Sequence, residues 1–191
     1  RAYPVKGTDI KDKSADEMAA LIISGRLDEL TNEELLYMAE SVLEDGKAKV
    51  TVLEYTAKKF NDARAYNNLG VAYAAAGEGK KAAEAFEKAM AAGGKTSQLN
   101  NNLALVNLMN GNTEAAKTYV GAATAETKAL AAAAEGNYAQ AQSQLEGYNA
   151  AVAATMNADY TAAKQAIAND KSAAADYLRA VIATKQGDFN A

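Results

Sequence analysis

Amphipathic stretches alternate with short glycine-containing or polar breaks along most of this chain, and the alternation has a fixed period. Leu69 recurs 34 residues later as Leu103, and Gly77 recurs as Gly111. Further pairs at this separation are small residues: Ala82 with Ala116, and Ala89 with Ala123. Self-similarity at a period of this length predicts a repeat protein in which each repeat is one pair of helices.

The clearest repeat spans residues 63–96. Its pattern predicts a first helix over 64–76 and a second helix over 80–92, because Gly77 and Gly93 directly follow the two amphipathic stretches. Glycine adopts the left-handed conformation that ends a helix at little conformational cost. Each repeat is therefore predicted to be a helical hairpin closed by glycine.

Small and large apolar residues occupy fixed places in this hairpin. They are Tyr66, Leu69, Gly70, Tyr73, Gly77, Ala82, Phe86 and Ala89. In this order they resemble the packing residues of tetratricopeptide (TPR) repeats, although Gly94 stands where such repeats usually carry proline. We expect Gly70 and Ala82 to lie where the two helices approach most closely, with the ring of Phe86 beside them.

The resemblance to TPR proteins implies an all-α fold, an α-solenoid of helical hairpins with a right-handed superhelical twist. We expect nine to eleven helices and no strand, since Pro4 is the only proline in the chain. The spacing shortens after Gly111, because the turns at Gly136 and Ala158 follow it by 25 and then 22 residues. The predicted repeats are 31–62, 63–96, 97–123, 124–148, 149–170 and an incomplete 171–191.

Two capping boxes predict helix starts near the N-terminus. Ser14 with Glu17 opens a capping helix over about 15–24, within a segment 14–30. Thr31 with Glu34 opens a helix over about 32–44, which we expect to pair with a helix over 47–60 as a degenerate first repeat. Residues 1–13 show no period and are interpreted as a connector.

The connector carries a second resemblance. Tyr3-Pro4, then Thr8-Asp9-Ile10 and an alanine-rich helix, is similar to the junction after an OmpA-like domain in Gram-negative cell-envelope proteins with TPR tails. This resemblance implies a periplasmic or outer-membrane-associated protein and a chain attached to further domains at both ends. The predicted first helix at 177–185 has no second helix before Ala191, so we expect the native chain to continue.

The residue types that carry most enzyme chemistry are missing. The chain has no histidine and no cysteine, which removes the commonest general base, the commonest metal ligands and thiolate nucleophiles. Acidic pairs such as Glu33-Glu34 lie at predicted helix starts, where the helix dipole favours negative charge. Gly94-Lys95-Thr96 has the ending of a phosphate loop, but Ala89 replaces its first glycine. We predict a non-enzymatic protein without metal or cofactor.

Charge and hydropathy narrow the class of partner. The net charge is −4 and no basic stripe is present, whereas nucleic-acid binding needs clustered lysine and arginine. The longest apolar run, residues 18–23, is far shorter than the roughly 20 residues that span a bilayer. We therefore predict a protein or peptide partner, no nucleic acid, and no transmembrane segment in this chain.

The resemblance to TPR proteins also implies where that partner binds. In the family, first helices line the concave surface, and the fifth, sixth, ninth and twelfth positions of each repeat face it. The residues that we assign to this binding face are Tyr37, Glu40, Asn67, Val71, Asn101, Asn102, Leu105 and Leu108. Amides there can pair with a peptide main chain, while apolar neighbours pack against its side chains. Alternatively, these asparagines are ordinary TPR residues, and the next helix covers the two leucines.

Three functions fit this sequence. The first is a non-catalytic interaction scaffold, as a fragment of a larger bacterial cell-envelope protein. The second is a cytoplasmic TPR peptide-binding adaptor or co-chaperone, and the third is a holding module of an enzyme whose catalytic domain lies elsewhere. Lysine is missing from the binding-face positions, which disfavours the lysine and asparagine clamp that chaperone-binding TPR proteins close around a terminal carboxylate.

Overall fold

Helices account for most of residues 13–187, the part of the chain that the structure, a computed structural model, describes. Within that range the α-helices are α1 (Ala15–Ile23), α2 (Asn32–Tyr37), α3 (Gly46–Phe60), α4 (Ala63–Ala75), α5 (Gly79–Ala91), α6 (Ser97–Met109), α7 (Thr113–Val120), α8 (Ala125–Ala134), α9 (Tyr138–Gln144), α10 (Gly147–Met156), α11 (Tyr160–Ala166) and α12 (Ala173–Lys185). A 3₁₀ turn at Leu27–Glu29 and a π-helical segment at Met38–Val42 complete the regular structure.

The predicted fold class is confirmed, because this range contains helices and no strand. Its twelve helices exceed the nine to eleven expected, since even the shortest stretches, α9 and α11 with seven residues each, form helices. Residues 1–12 of the predicted connector and residues 188–191 after the last turn lie outside the described residues.

Both predicted capping boxes start helices. Ser14 Oγ accepts a hydrogen bond from the backbone N–H of Glu17 at 3.1 Å, and Thr31 Oγ1 accepts one from Glu34 at 3.2 Å. Each bond satisfies an N–H group that would otherwise have no partner inside the helix. The helix predicted over 32–44 is irregular instead: α2 passes into the π-helical segment, which ends at Val42.

The chain divides into a first unit, up to Asn112, and a second unit, from Thr113 onward. In the first unit each helix from α2 to α6 packs against the next along the chain. Its largest fully buried side chains include Leu35, Leu36, Met38, Leu53, Leu99 and Leu103. In the second unit consecutive helices from α7 to α11 pack likewise, and α12 packs on α10. One core of this unit is Ala151, Ala154, Ala163, Ile167, Ala175, Leu178 and Ile182.

A left-handed residue ends the first helix of five hairpins in succession. Four are glycines with positive φ angles, at Gly77, Gly111, Gly136 and Gly187. The fifth is Ala158, with φ of 59°, a conformation that alanine rarely adopts. The sequence prediction that Gly136 and Ala158 mark equivalent turns is therefore confirmed, and these residues provide a common register for the shortened repeats.

The hairpin of α4 and α5 shows why one of its positions is glycine. A Cβ atom placed on Gly70 would lie 2.5 Å from Cε1 of the Phe86 ring, closer than packed carbon atoms approach. Phe86 is 2% exposed and Ala82 is 0% exposed. The expected close approach is confirmed, since the buried ring lies directly against the backbone of α4.

A polar network joins α2, α3 and α4 in the first unit. Asp62, which caps α4, accepts hydrogen bonds from Arg64 Nε at 3.1 Å and from Asn32 Nδ2 at 2.8 Å. Arg64 also donates from Nη1 to Glu33 at 3.2 Å, and Thr56 donates to Asn32 Oδ1 at 3.0 Å. Burial alone would raise the pKa of Asp62, but the hydrogen bonds from Arg64 and Asn32 outweigh it and lower that pKa.

The close approach in the α4–α5 hairpin predicts strong coupling between two substitutions. Gly70→Ala should lower the free energy of unfolding by about 1–3 kcal/mol through overpacking, and Phe86→Ala should lower it by about 3–5 kcal/mol. In the double variant the new methyl group enters the space that the ring leaves, so the loss should be smaller than the sum. Urea titration of the four proteins measures the coupling, and simple additivity would contradict the close contact.

The network around Asp62 predicts a pH dependence of stability. Because the folded-state pKa of Asp62 is lowered, its stabilisation is fully present above the ordinary aspartate value of about 3.9. It is lost as the pH falls through the lower folded-state pKa. We expect Asp62→Asn to destabilise the chain at neutral pH and the gap from wild type to narrow on acidification. Urea unfolding across pH tests this, with Asp16→Asn, on the exposed first turn of α1, as control. Parallel pH profiles would contradict it.

Candidate partner-binding surface

The residues assigned to the binding face lie on the first helices of the first unit, but they differ in exposure. Those with half-buried side chains are Tyr37, Glu40, Val71, Asn101, Leu105 and Leu108. Asn67 and Asn102 are instead buried, with exposed fractions of 0% and 5%. The first set borders the surface of α2, the π-helical segment, α4 and α6, while the second set lies beneath it.

The two buried asparagines join neighbouring first helices. Asn102 Nδ2 on α6 donates to Asn67 Oδ1 on α4 at 2.9 Å. Asn67 Nδ2 in turn donates to Asn68 Oδ1 at 3.4 Å, and Asn68 is also buried. Buried amides that are hydrogen-bonded to one another fix the register of the helices that carry them. In this structure Asn67 and Asn102 therefore hold α4 and α6 together and do not present amides at the surface.

A groove of about 780 Å³ opens beside Glu40 and Val71, two of the assigned residues. Its apolar floor contains Val50, Leu53, Val71, Ala72 and Ala75. Five carboxylates and three lysines line it as well: Glu40, Glu44, Asp45, Glu54, Glu78, Lys47, Lys49 and Lys81. We call this cavity the α3–α4 groove, because these two helices and the loop before α3 form most of it.

Several polar groups of the α3–α4 groove are held by neighbours. Tyr73 donates a hydrogen bond from its hydroxyl to Glu54, and Lys81 pairs with Glu78 at 3.3 Å. Burial, and then that hydrogen bond to Glu54, raises the pKa of Tyr73 to about 12. Glu40 is different, because burial raises the pKa of its carboxyl even though the charge of Lys49 opposes the change. Its carboxylate is thus short of compensating positive charge.

Comparison with solved structures places this arrangement in a known fold. No protein-family model matches the sequence, and no curated protein matches it. The chain is similar to the crystal structure of a tetratricopeptide repeat protein from Parabacteroides merdae ATCC 43184, with a TM-score of 0.60 and 13% identity. The match covers 91% of this chain and 85% of that chain. This chain has the TPR fold. The α-solenoid class and the TPR resemblance of the sequence are confirmed, while a likeness at this identity does not identify a partner.

The TPR register reveals a row of apolar residues that the sequence analysis missed in the second unit. Six residues before each left-handed turn residue stand Val71, Leu105, Leu130, Val152 and Val181. On α10, Tyr148, Val152 and Met156 are exposed at four-residue spacing, so that they share one face of the helix. The shortened turn spacing was visible in the sequence, and counting back from Gly136 and Ala158 would have found these residues.

Two further observations complete the surface of the described residues. A smaller cavity of about 330 Å³ lies between α3, α4 and α5, over Leu69 and Ala85, with Tyr66 and Lys88 among its walls. No helix within residues 13–187 is long and apolar enough to cross a membrane.

The buried amide pair predicts a structural role for Asn102. Asn102→Ala removes the donor to Asn67 Oδ1 in a buried setting, which should lower the free energy of unfolding by about 1–3 kcal/mol. Asn149→Ala, at an exposed position on α10, is the matched control and should change it by less than about 0.5 kcal/mol. Chemical denaturation of both variants tests the difference. Equal effects would show that the amide pair does not stabilise the stack.

Proposed function

We propose that this chain is a non-catalytic protein-interaction scaffold that binds a peptide segment of a partner protein on the first-helix face of its first unit. The TPR fold supports this proposal, since it is generally an interaction scaffold. The observation that carries it is the α3–α4 groove, whose apolar floor is open to solvent beside Glu40 and Val71. Recognition sites for peptides combine such an apolar floor with a few polar groups that set orientation.

The half-buried residues of the assigned face divide the work. Tyr37, Val71 and Leu105 offer apolar contacts to side chains of the partner, and Leu108 adds to them on α6. Asn101 borders the same face with an amide that suits a peptide main chain. Asn67 and Asn102 serve underneath, because their mutual hydrogen bond keeps α4 and α6 at a fixed separation.

The proposed setting is a larger cell-envelope protein of a Gram-negative bacterium, in the periplasm or associated with the outer membrane. The resemblance of the Tyr3-Pro4 segment to the junction after an OmpA-like domain supports it. In this proposal residues 1–13 connect to a preceding domain and the repeats continue beyond residue 191. A cytoplasmic peptide-binding adaptor is the competing setting, and recovery of the full-length protein from the cytoplasmic fraction alone would favour it.

The proposed peptide site predicts that one small substitution weakens binding. Peptides selected by display against the whole chain should bind Val71→Ser at least about tenfold more weakly than wild type, a loss of about 1.4 kcal/mol. Ile23→Ser is the matched control, because Ile23 is 86% exposed on α1 and away from the groove. Fluorescence anisotropy measures each Kd, and melting curves verify that both variants fold. Peptides that bind Val71→Ser as tightly as wild type would overturn the assignment.

A further inference from the structure

The α3–α4 groove carries more negative than positive charge. Five carboxylates line it against three lysines. Three of the carboxylates are engaged within the chain: Asp45 caps α3 by accepting from Ala48 N–H at 3.0 Å, Glu54 accepts from Tyr73, and Glu78 pairs with Lys81. The excess of negative charge is therefore concentrated on the remaining two.

Those two carboxylates are Glu40 and Glu44, at the end of the groove where the π-helical segment leads into α3. Among residues 13–187 neither forms an ion pair within 4.0 Å. Glu44 is exposed, whereas Glu40 is half-buried, with the charge of Lys49 as a distant counterion. A ligand in the groove would thus meet one solvated and one poorly solvated carboxylate side by side.

A bound segment would remove further water from Glu40. An apolar or acidic segment would leave this carboxylate desolvated without compensation, which is costly. A lysine or arginine side chain would instead supply the missing positive charge, while its methylene stem could lie along the apolar floor. Charge complementarity therefore favours a cationic occupant over an acidic one.

Building on the proposed function, we infer that the α3–α4 groove binds a basic peptide segment of a partner protein. In this arrangement a lysine or arginine of the segment pairs with Glu40 and Glu44, and a neighbouring apolar side chain packs against Val50, Val71 and Ala72. The inference goes beyond the scaffold role, because it specifies the charge that the partner must carry.

Three short labelled peptides test the inference on the whole chain. The first mixes lysine, valine and glycine, and the other two replace every lysine by glutamine or by glutamate. We expect the lysine peptide to bind at least about tenfold more tightly than the glutamine peptide, with the glutamate peptide weakest. The preference should shrink as salt is raised, because the Debye length falls to about 3 Å at 1 M.

Paired variants separate the groove from the general acidity of the chain. Glu40→Gln with Glu44→Gln should abolish most of the preference for lysine. Glu87→Gln with Glu126→Gln removes the same net charge from exposed positions outside the groove and should retain it. A neutral amide at position 40 also relieves the buried charge, so the first pair should melt no lower than wild type.

The outcomes distinguish this inference from the function on which it rests. If all three peptides bind equally and Val71→Ser weakens all of them, the groove is a peptide site without charge preference, and the inference fails alone. If the lysine preference survives in Glu40→Gln with Glu44→Gln, the preference comes from elsewhere and the inference fails. If neither the three peptides nor any display-selected peptide binds, both the inference and the proposed function fail.

Discussion

The stack depends on one steric constraint, that a small residue stands on each first helix where its partner helix crosses. Seven residues before each left-handed turn residue this place holds Gly70, Ala104, Ala129 and Ala151, and all four are buried. Small residues let two helices approach closely, and a large side chain such as Phe86 then fills the space alongside. Because the buried side of each first helix is committed in this way, the positions about half a turn away remain open to partners.

Polar contacts add a second level of organisation, between neighbouring hairpins. Apolar packing tolerates sliding, since "hydrophobic and about the right size" describes many registers. The buried bond between Asn67 and Asn102 and the Asp62 network have directional geometry, and each joins helices of successive hairpins. Such groups are costly when unpaired, so they favour one register over its neighbours. This accounts for asparagines in helices that otherwise bury leucine and alanine.

Much of the fold could be predicted from sequence because it is encoded locally. Ser14 and Thr31 cap helices through side chains three residues from their partners, and a glycine such as Gly77 ends a helix by its own conformation. The burial of Asn67 could not be read in this way, because it depends on the distance between α4 and α6. The π-helical segment after Tyr37 likewise departs from a pattern that reads as one continuous helix.

The binding surface was predicted only in part, for a related reason. Repeat positions identify which residues face outward, and this placed Glu40 and Val71 beside a groove. They do not reveal which outward residues border a cavity, since that depends on the loop before α3 and on helix α3 itself. Counting in units of 34 also ended the assignment at Leu108, because the later repeats are shorter. Turn conformation, not sequence period, is the register that extends through the second unit.

The two units present chemically different surfaces, and this difference bears on specificity. The α3–α4 groove combines an apolar floor with surplus carboxylates, whereas α10 has no charged residue between Gly147 and Met156. Apolar contact alone discriminates poorly among partners, since each methylene group contributes similar free energy wherever it is buried. A carboxylate that loses water on binding discriminates strongly, because it penalises every segment that does not neutralise it. Among the two surfaces, the groove of the first unit therefore has the greater capacity to select one partner, and the exposed row on α10 is suited to contacts that add affinity.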